Sequence, residues 1–93
     1  MRKLPHFKFR LYVVGDGPHS VLAIANLHAL CRQYLAERHE IEIVDVLHEP
    51  QRALSDNVML TPMLLKLLPA PVGKFIGNLS QRESLLQALG IPI

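Results

Sequence analysis

One stretch limits the fold more than any other: an extended run, a break, a long amphipathic run and a second extended run, within about forty residues. Phe9–Val14 (FRLYVV) is aromatic and β-branched and predicts a strand. Gly15-Asp16-Gly17-Pro18 breaks it. Ser20 suits an N-cap, because its hydroxyl can accept from an unpaired amide of the first turn. Ile24, Leu27, Cys31, Tyr34 and Leu35 then recur at helical spacing, which predicts a helix to about Glu37. Ile41, Ile43, Val44 and Val46 mark a second strand, Glu40–Val46. A strand–helix–strand unit this short makes its two strands parallel, joined by a right-handed crossover.

The remainder extends that unit. Pro50 fits the first turn of a short second helix with Leu54 and Val58 on one face. Thr61-Pro62 ends it, since a residue before proline avoids the α region. Met63–Leu68 (MLLKLL) is locally ambiguous: it has no β-branched residue, and Met, Leu and Lys favour helix, yet prolines bracket it and a strand should follow a βαβα start. Val72–Ile76 predicts a further strand, paired in a hairpin around Pro69-Ala70-Pro71. Gly77-Asn78 turns the chain. Ser80-Gln81-Arg82-Glu83 has the form of a capping box, Leu85, Leu86 and Leu89 follow at helical spacing, and Gly90 ends the helix. The expected fold is an α/β domain of order βαβαββα, one domain over residues 1–93.

Half the residues are apolar, so a folded core is expected rather than disorder. The net charge is only +2 and the basic residues are scattered, apart from Arg2, Lys3, Lys8 and Arg10, read as the solvated end of the first strand. Nothing here suggests a nucleic-acid partner. Cys31 is the only cysteine, so no intrachain disulfide forms and a reducing compartment fits. No apolar h-region follows Met1–Lys8, and the longest apolar stretch, Val58–Val72, contains Lys66 and three prolines. A cytoplasmic protein without a membrane span is the expectation.

The element order is that of thioredoxin, which carries Cys-Gly-Pro-Cys in the loop after the first strand. Here Gly17-Pro18 remain, with Asp16 and His19 at the sulfur positions. Disulfide exchange needs a thiolate, and neither side chain supplies one. Asp16 and His19 as a carboxylate–imidazole pair would still need a nucleophile and an oxyanion hole, so they are read as loop residues. His6, His19, His28, His39 and His48 show no close metal-ligand spacing. Cys31 falls on the apolar stripe of the first helix and is read as a packed thiol. Gly15-Asp16-Gly17 before a helix is a weak hint of an anion site and lacks the P-loop Lys-Ser/Thr. No cofactor is expected.

Several blocks together resemble the KaiB family of circadian clock proteins. They are Leu11-Tyr12-Val13-Val14-Gly15, Pro18-His19-Ser20-Val21, Val44-Asp45-Val46-Leu47, Glu49-Pro50-Gln51, Thr61-Pro62, Leu68-Pro69-Ala70-Pro71-Val72 and Ile76-Gly77-Asn78-Leu79-Ser80-Gln81-Arg82-Glu83. The resemblance covers nearly the whole chain. It implies a non-enzymatic adaptor that binds the N-terminal ring of KaiC, a hexameric ATPase and autokinase, competes there with a thioredoxin-like histidine-kinase sensor domain, and sequesters KaiA. It also implies a metamorphic chain: a thioredoxin-like state, and a second state with a rearranged C-terminal half that assembles as a homo-oligomer, dimer or tetramer. The helix preference of Met63–Leu68 supplies a physical reason, since local–global conflict narrows the gap between folds. Pro62, Pro69 and Pro71, with the Gly77-Asn78 turn, are the expected switch positions; isomerisation at the three Xaa-Pro bonds would be slow. Pro92 cannot donate to the strand ladder that the second state would build at the C-terminus.

The sequence departs from the cyanobacterial pattern. The family's first helix usually begins Ser-Val-Arg-Ala-Leu-Lys; here it is Ser20-Val21-Leu22-Ala23-Ile24-Ala25. A lysine before Thr-Pro becomes Asn57, an Arg-Arg pair becomes Gly73-Lys74, and an aspartate becomes Asn78. The expected partner-binding residues are Arg52, Asn57 and Lys74, around the second helix and the strands after it. With the family's basic residues replaced at Leu22, Ala25, Asn57 and Gly73, one alternative is a diverged relative serving another kinase or stress-signalling partner; the other is a thioredoxin-fold redox or small-molecule protein, which the missing Cys-x-x-Cys opposes.

Overall fold

In the computed structural model, which describes residues 4–91, β1 (Phe7–Val13) runs through the middle of the sheet. It is followed by α1 (Pro18–Tyr34), β2 (His39–Asp45), α2 (Pro50–Ser55), β3 (Met63–Leu68), β4 (Gly73–Ile76) and α3 (Arg82–Leu89). The four strands lie in the order β2-β1-β3-β4. β1 and β2 are parallel, Leu11 opposite Ile43. β3 runs antiparallel to both β1 and β4. The order βαβαββα is the expected one. Arg2, Lys3 and Pro92 lie outside the described residues.

Alternation in β1 assigns the two faces. Phe7, Phe9, Leu11 and Val13 point to one side, where Leu27, Cys31 and Leu35 of α1 and Leu85, Leu86 and Leu89 of α3 close the larger core. Tyr12 points to the other, where Val44, Met63, Leu65 and Ala53 of α2 make a smaller one. Met63–Leu68 is a strand despite its helix preference. It lies between two strands and packs on both faces, Leu64 in the larger core and Met63 and Leu65 in the smaller, so an unbroken apolar run suits it.

Four local expectations are corrected. α1 starts at Pro18, so Ser20 is not its N-cap; the buried Ser20 hydroxyl instead donates to the Val14 carbonyl and accepts from the Val14 amide, both at 3.2 Å. α1 ends at Tyr34, before Glu37, whose φ of 62° is incompatible with continuing a helix. On α2, Ala53 faces the core and Leu54 is exposed, because the helix is docked by its polar side. The capping box is not formed: the N-cap of α3 is Gln81, without a side-chain cap, and the Ser80 carbonyl accepts from the Arg82 amide. Gly90 does end α3 in the left-handed region, at φ 76°.

Candidate functional site

The loop after β1 holds the positions where a dithiol would sit. Asp16 and His19 are exposed there, and the Ser20 hydroxyl is committed to Val14. Asp45, at the end of β2, pins this loop: one carboxylate oxygen accepts from the Gly15 amide at 3.1 Å, the other from the Leu47 amide at 2.8 Å. Cys31 is buried, and desolvation alone pushes its thiol up to about 12. A thiol so held is neither thiolate nor accessible.

The other face of the sheet carries a connected set of charges. Cross-strand pairing puts Glu42, Arg10, Leu65 and Lys74 in one row, and Val44, Tyr12, Met63 and Ile76 in the next. Arg10 donates from Nε to Glu42 at 2.8 Å and from Nη1 to Asp56 at 2.9 Å. Arg52 reaches Glu42 at 2.8 Å and Glu49 at 3.2 Å. The Tyr12 hydroxyl meets the Asp56 carboxylate and the Arg52 carbonyl, the latter at 3.0 Å. Three elements, β1, β2 and α2, are thereby tied together. A shallow hollow of about 290 Å³ lies over Arg10, Tyr12, Gln51, Arg52, Ser55 and Asp56.

The charges tune one another. Hydrogen bonds from Arg10 and then Arg52 hold the Glu42 carboxyl below its usual range. Burial pushes the Asp56 carboxyl up, but Tyr12 and Arg10 together outweigh it and leave it lowered. Burial, then Asp56, pushes the Tyr12 phenol up to about 12.

The expected partner residues do not converge. Arg52 is half-buried and occupied by Glu42 and Glu49. Asn57 is exposed just past α2, at φ 55°. Lys74 is exposed on β4, on the same face as Arg52 but two strands from Arg10. Arg10, Tyr12, Glu42, Glu49 and Asp56 were not expected; the alternation Lys8, Arg10, Tyr12 along β1 was the one signal of a polar row under α2.

The expected switch positions lie at the β3–β4–α3 end. Pro62 is buried, and its carbonyl accepts from the Gly77 amide at 3.0 Å; Gly77 has φ 120°. The peptide bonds preceding Pro62, Pro69 and Pro71 are cis. The Asn78 carbonyl accepts from the Asn26 side chain of α1 at 2.8 Å, and its side-chain oxygen accepts from the Ser80 amide. A groove of about 600 Å³ runs between β4 and α3, lined by Phe75, Leu79, Ser84 and Leu85 among others. Among the described residues no group of three or more His, Cys, Asp or Glu could hold a metal, and no helix is long and apolar enough to cross a membrane.

The fold and its loop define a thioredoxin-like α/β domain. Solved structures bear this out: the N-terminal domain of SasA from Synechococcus elongatus superposes with a TM-score of 0.74 at 18% identity, covering 97% of this chain and 89% of that one. Mitochondrial thioredoxin 3 of Saccharomyces cerevisiae gives 0.70 at 19%, covering 96% and 79%. Within that class, the KaiB domain model matches residues 10–91. The circadian clock protein KaiB3 of a Synechocystis strain is 43% identical over 88% of this chain and 80% of its own length. The circadian clock oscillator protein KaiB of a Cyanothece strain is 40% identical over 91% and 81%. The chain belongs to the KaiB family.

Proposed function

We propose that this protein is a non-enzymatic clock adaptor that docks, in its thioredoxin-like state, on the N-terminal ring of a KaiC-type hexameric ATPase and regulates its phosphorylation. The observation that carries this is the family match over residues 10–91, joined to a fold shared with the SasA N-terminal domain. The likeness to that domain fits competition for one docking place. Asn57 and Lys74 are exposed and free to contact the ring, whereas Arg52 contributes chiefly by holding α2. The second state, an oligomer with a rearranged C-terminal half, would pivot about Pro62, Pro69, Pro71, Gly77 and Asn78.

The test is direct binding of the full chain to a KaiC-type hexamer by sedimentation, with and without a SasA-type sensor domain as competitor. A stoichiometric complex displaced by the competitor is expected, weakened by Asn57→Ala with Lys74→Ala; a central contact costs about 1–3 kcal/mol and a rim contact far less. No complex under conditions where a cyanobacterial KaiB binds would overturn the reading and favour another kinase. For the absence of redox catalysis, insulin reduction with dithiothreitol should not exceed the buffer blank; clear turnover refutes it.

A further inference from the structure

We propose that the loop end of the sheet is a docking surface for a protein face with an apolar centre and a basic rim. The proposal rests on the adaptor reading and names the chemistry of its partner. Topology gathers the surface. β1 and β2 are parallel, β3 starts opposite Tyr12 near the end of β1, and β4 ends opposite the start of β3. The loops after β1, β2 and β4, the loop before β3 and the first turn of α1 therefore share one end.

Apolar surface is concentrated there. Of the twelve large apolar side chains left exposed among the described residues, seven lie at this end: Val14 in the loop after β1, with Val21, Leu22, Leu47, Met59, Leu60 and Ile76. Met59 is 86% exposed and Leu47 67%. Scattered apolar residues need no explanation, but a shared cluster marks an interaction site.

Charge decides what covers it. Residues 14–22 and 45–61 carry four carboxylates, Asp16, Asp45, Glu49 and Asp56, against one cation, Arg52. Arg52 is occupied by Glu42 and Glu49, and Asp56 is paired with Arg10. Asp16 and Asp45 have no cationic partner among the described residues, and Asp45 is fixed by two backbone amides. The chain as a whole is +2, so this end is opposite in sign to the rest. An anionic lipid surface or a nucleic acid is repelled here, while lysines and arginines around an apolar protein face are attracted and oriented.

The probes are two amphipathic helical peptides with the same leucine face, one rimmed by lysine and one by glutamate, titrated into the ¹⁵N-labelled full chain. The lysine-rimmed peptide should shift amides of residues 14–22 and 45–61, and binding should fall steeply in about 0.5 M salt, where the screening length is roughly 4 Å. Leu47→Ser with Met59→Ser should abolish binding, and Asp16→Lys should weaken it on the order of tenfold; these side chains are exposed, so folding is retained. Equal binding of both peptides, shifts on another face, or concentration-dependent shifts of the protein alone at this end, meaning a second copy covers it, each overturn the proposal. A KaiC-type ring that binds unaffected by the same substitutions sinks the surface and leaves the adaptor reading standing. A ring that fails to bind, while the lysine-rimmed peptide still docks at this end, does the reverse.

Discussion

Replacing Tyr12 by Phe should loosen α2 more than any other single-atom change. The ring is fully buried and stays in place, so no apolar burial is lost. What goes is the hydroxyl that meets the Asp56 carboxylate and the Arg52 carbonyl. α2 is six residues long, too short to be stable alone, and puts only Ala53 into the core. Its attachment therefore rests on the polar contacts beneath it. A hydrogen bond to a charged group contributes about 1.5–3 kcal/mol. Asp56 keeps Arg10 at 2.9 Å, so the expected loss is at the lower end, about 1.5–2 kcal/mol. In a chain of this size that lowers Tm by about 10 °C. Urea unfolding measures the energy. Hydrogen exchange localises it: the Ala53 and Asp56 amides, bonded to the Glu49 and Arg52 carbonyls, should exchange faster while β1 amides change far less. A loss under about 0.5 kcal/mol, or uniform acceleration of exchange, would show the network to be screened by solvent and the reasoning wrong.

Three further outcomes are expected. Glu42 and Asp56 titrate below their ordinary values, so their contribution is present above about pH 4.5 and is lost as pH falls through the folded values, while Tyr12 contributes below about pH 10 and loses its contribution as pH rises towards about 12; Asp56→Asn should flatten the acid limb of a stability–pH curve, and an unchanged limb counts against the network. Cys31 should resist an aromatic disulfide reagent in the native protein and react on unfolding; rapid native labelling would contradict its burial. Gly90→Ala should cost about 1 kcal/mol of stability through backbone strain alone, since nothing lies within 4 Å of the added methyl; a stabilised variant would mean the left-handed cap is not kept in solution.

The βαβ start was legible because period-two and helical-period patterns act within a few residues of each other. The strand identity of Met63–Leu68 came from its place in the order, against its own propensity; burial on both faces overrode preference. Ser80-Gln81-Arg82-Glu83 shows the converse. Its spacing matches a capping box, but the helix begins later and Arg82 turns to Gln33 of α1 at 2.8 Å. Arg52 shows the main limit. Its guanidinium lies between Glu42 and Glu49, the former contributed by β2, a pairing that its place in the sequence does not show. Contacts between residues ten or more apart on different elements carry no local signature, so the charge network under α2 was not readable, although every residue in it was.

The missing cap bears on the balance between the thioredoxin-like state and the proposed second state. A capping box contributing roughly 1 kcal/mol would favour helix at residues 82–89 by local means. Without it, what holds α3 is tertiary: Leu85, Leu86 and Leu89 in the larger core, Arg82 on Gln33, and Asn26 on the Asn78 carbonyl. Each leucine contributes about 1.5–3 kcal/mol by burial, far more than a cap. All three contacts reach from the C-terminal half to β1 or α1, the half that the proposed rearrangement leaves intact. Under the proposed rearrangement, the balance between the two states would be governed by how well α1 and β1 receive those leucines, rather than by the helix propensity of the segment itself. Met63–Leu68 leans the other way by propensity, yet as β3 it hydrogen-bonds to strands on both sides. Local preference and tertiary placement oppose each other at β3, and at α3 tertiary placement acts with little local help, which is the energetic arrangement a chain with two accessible folds requires.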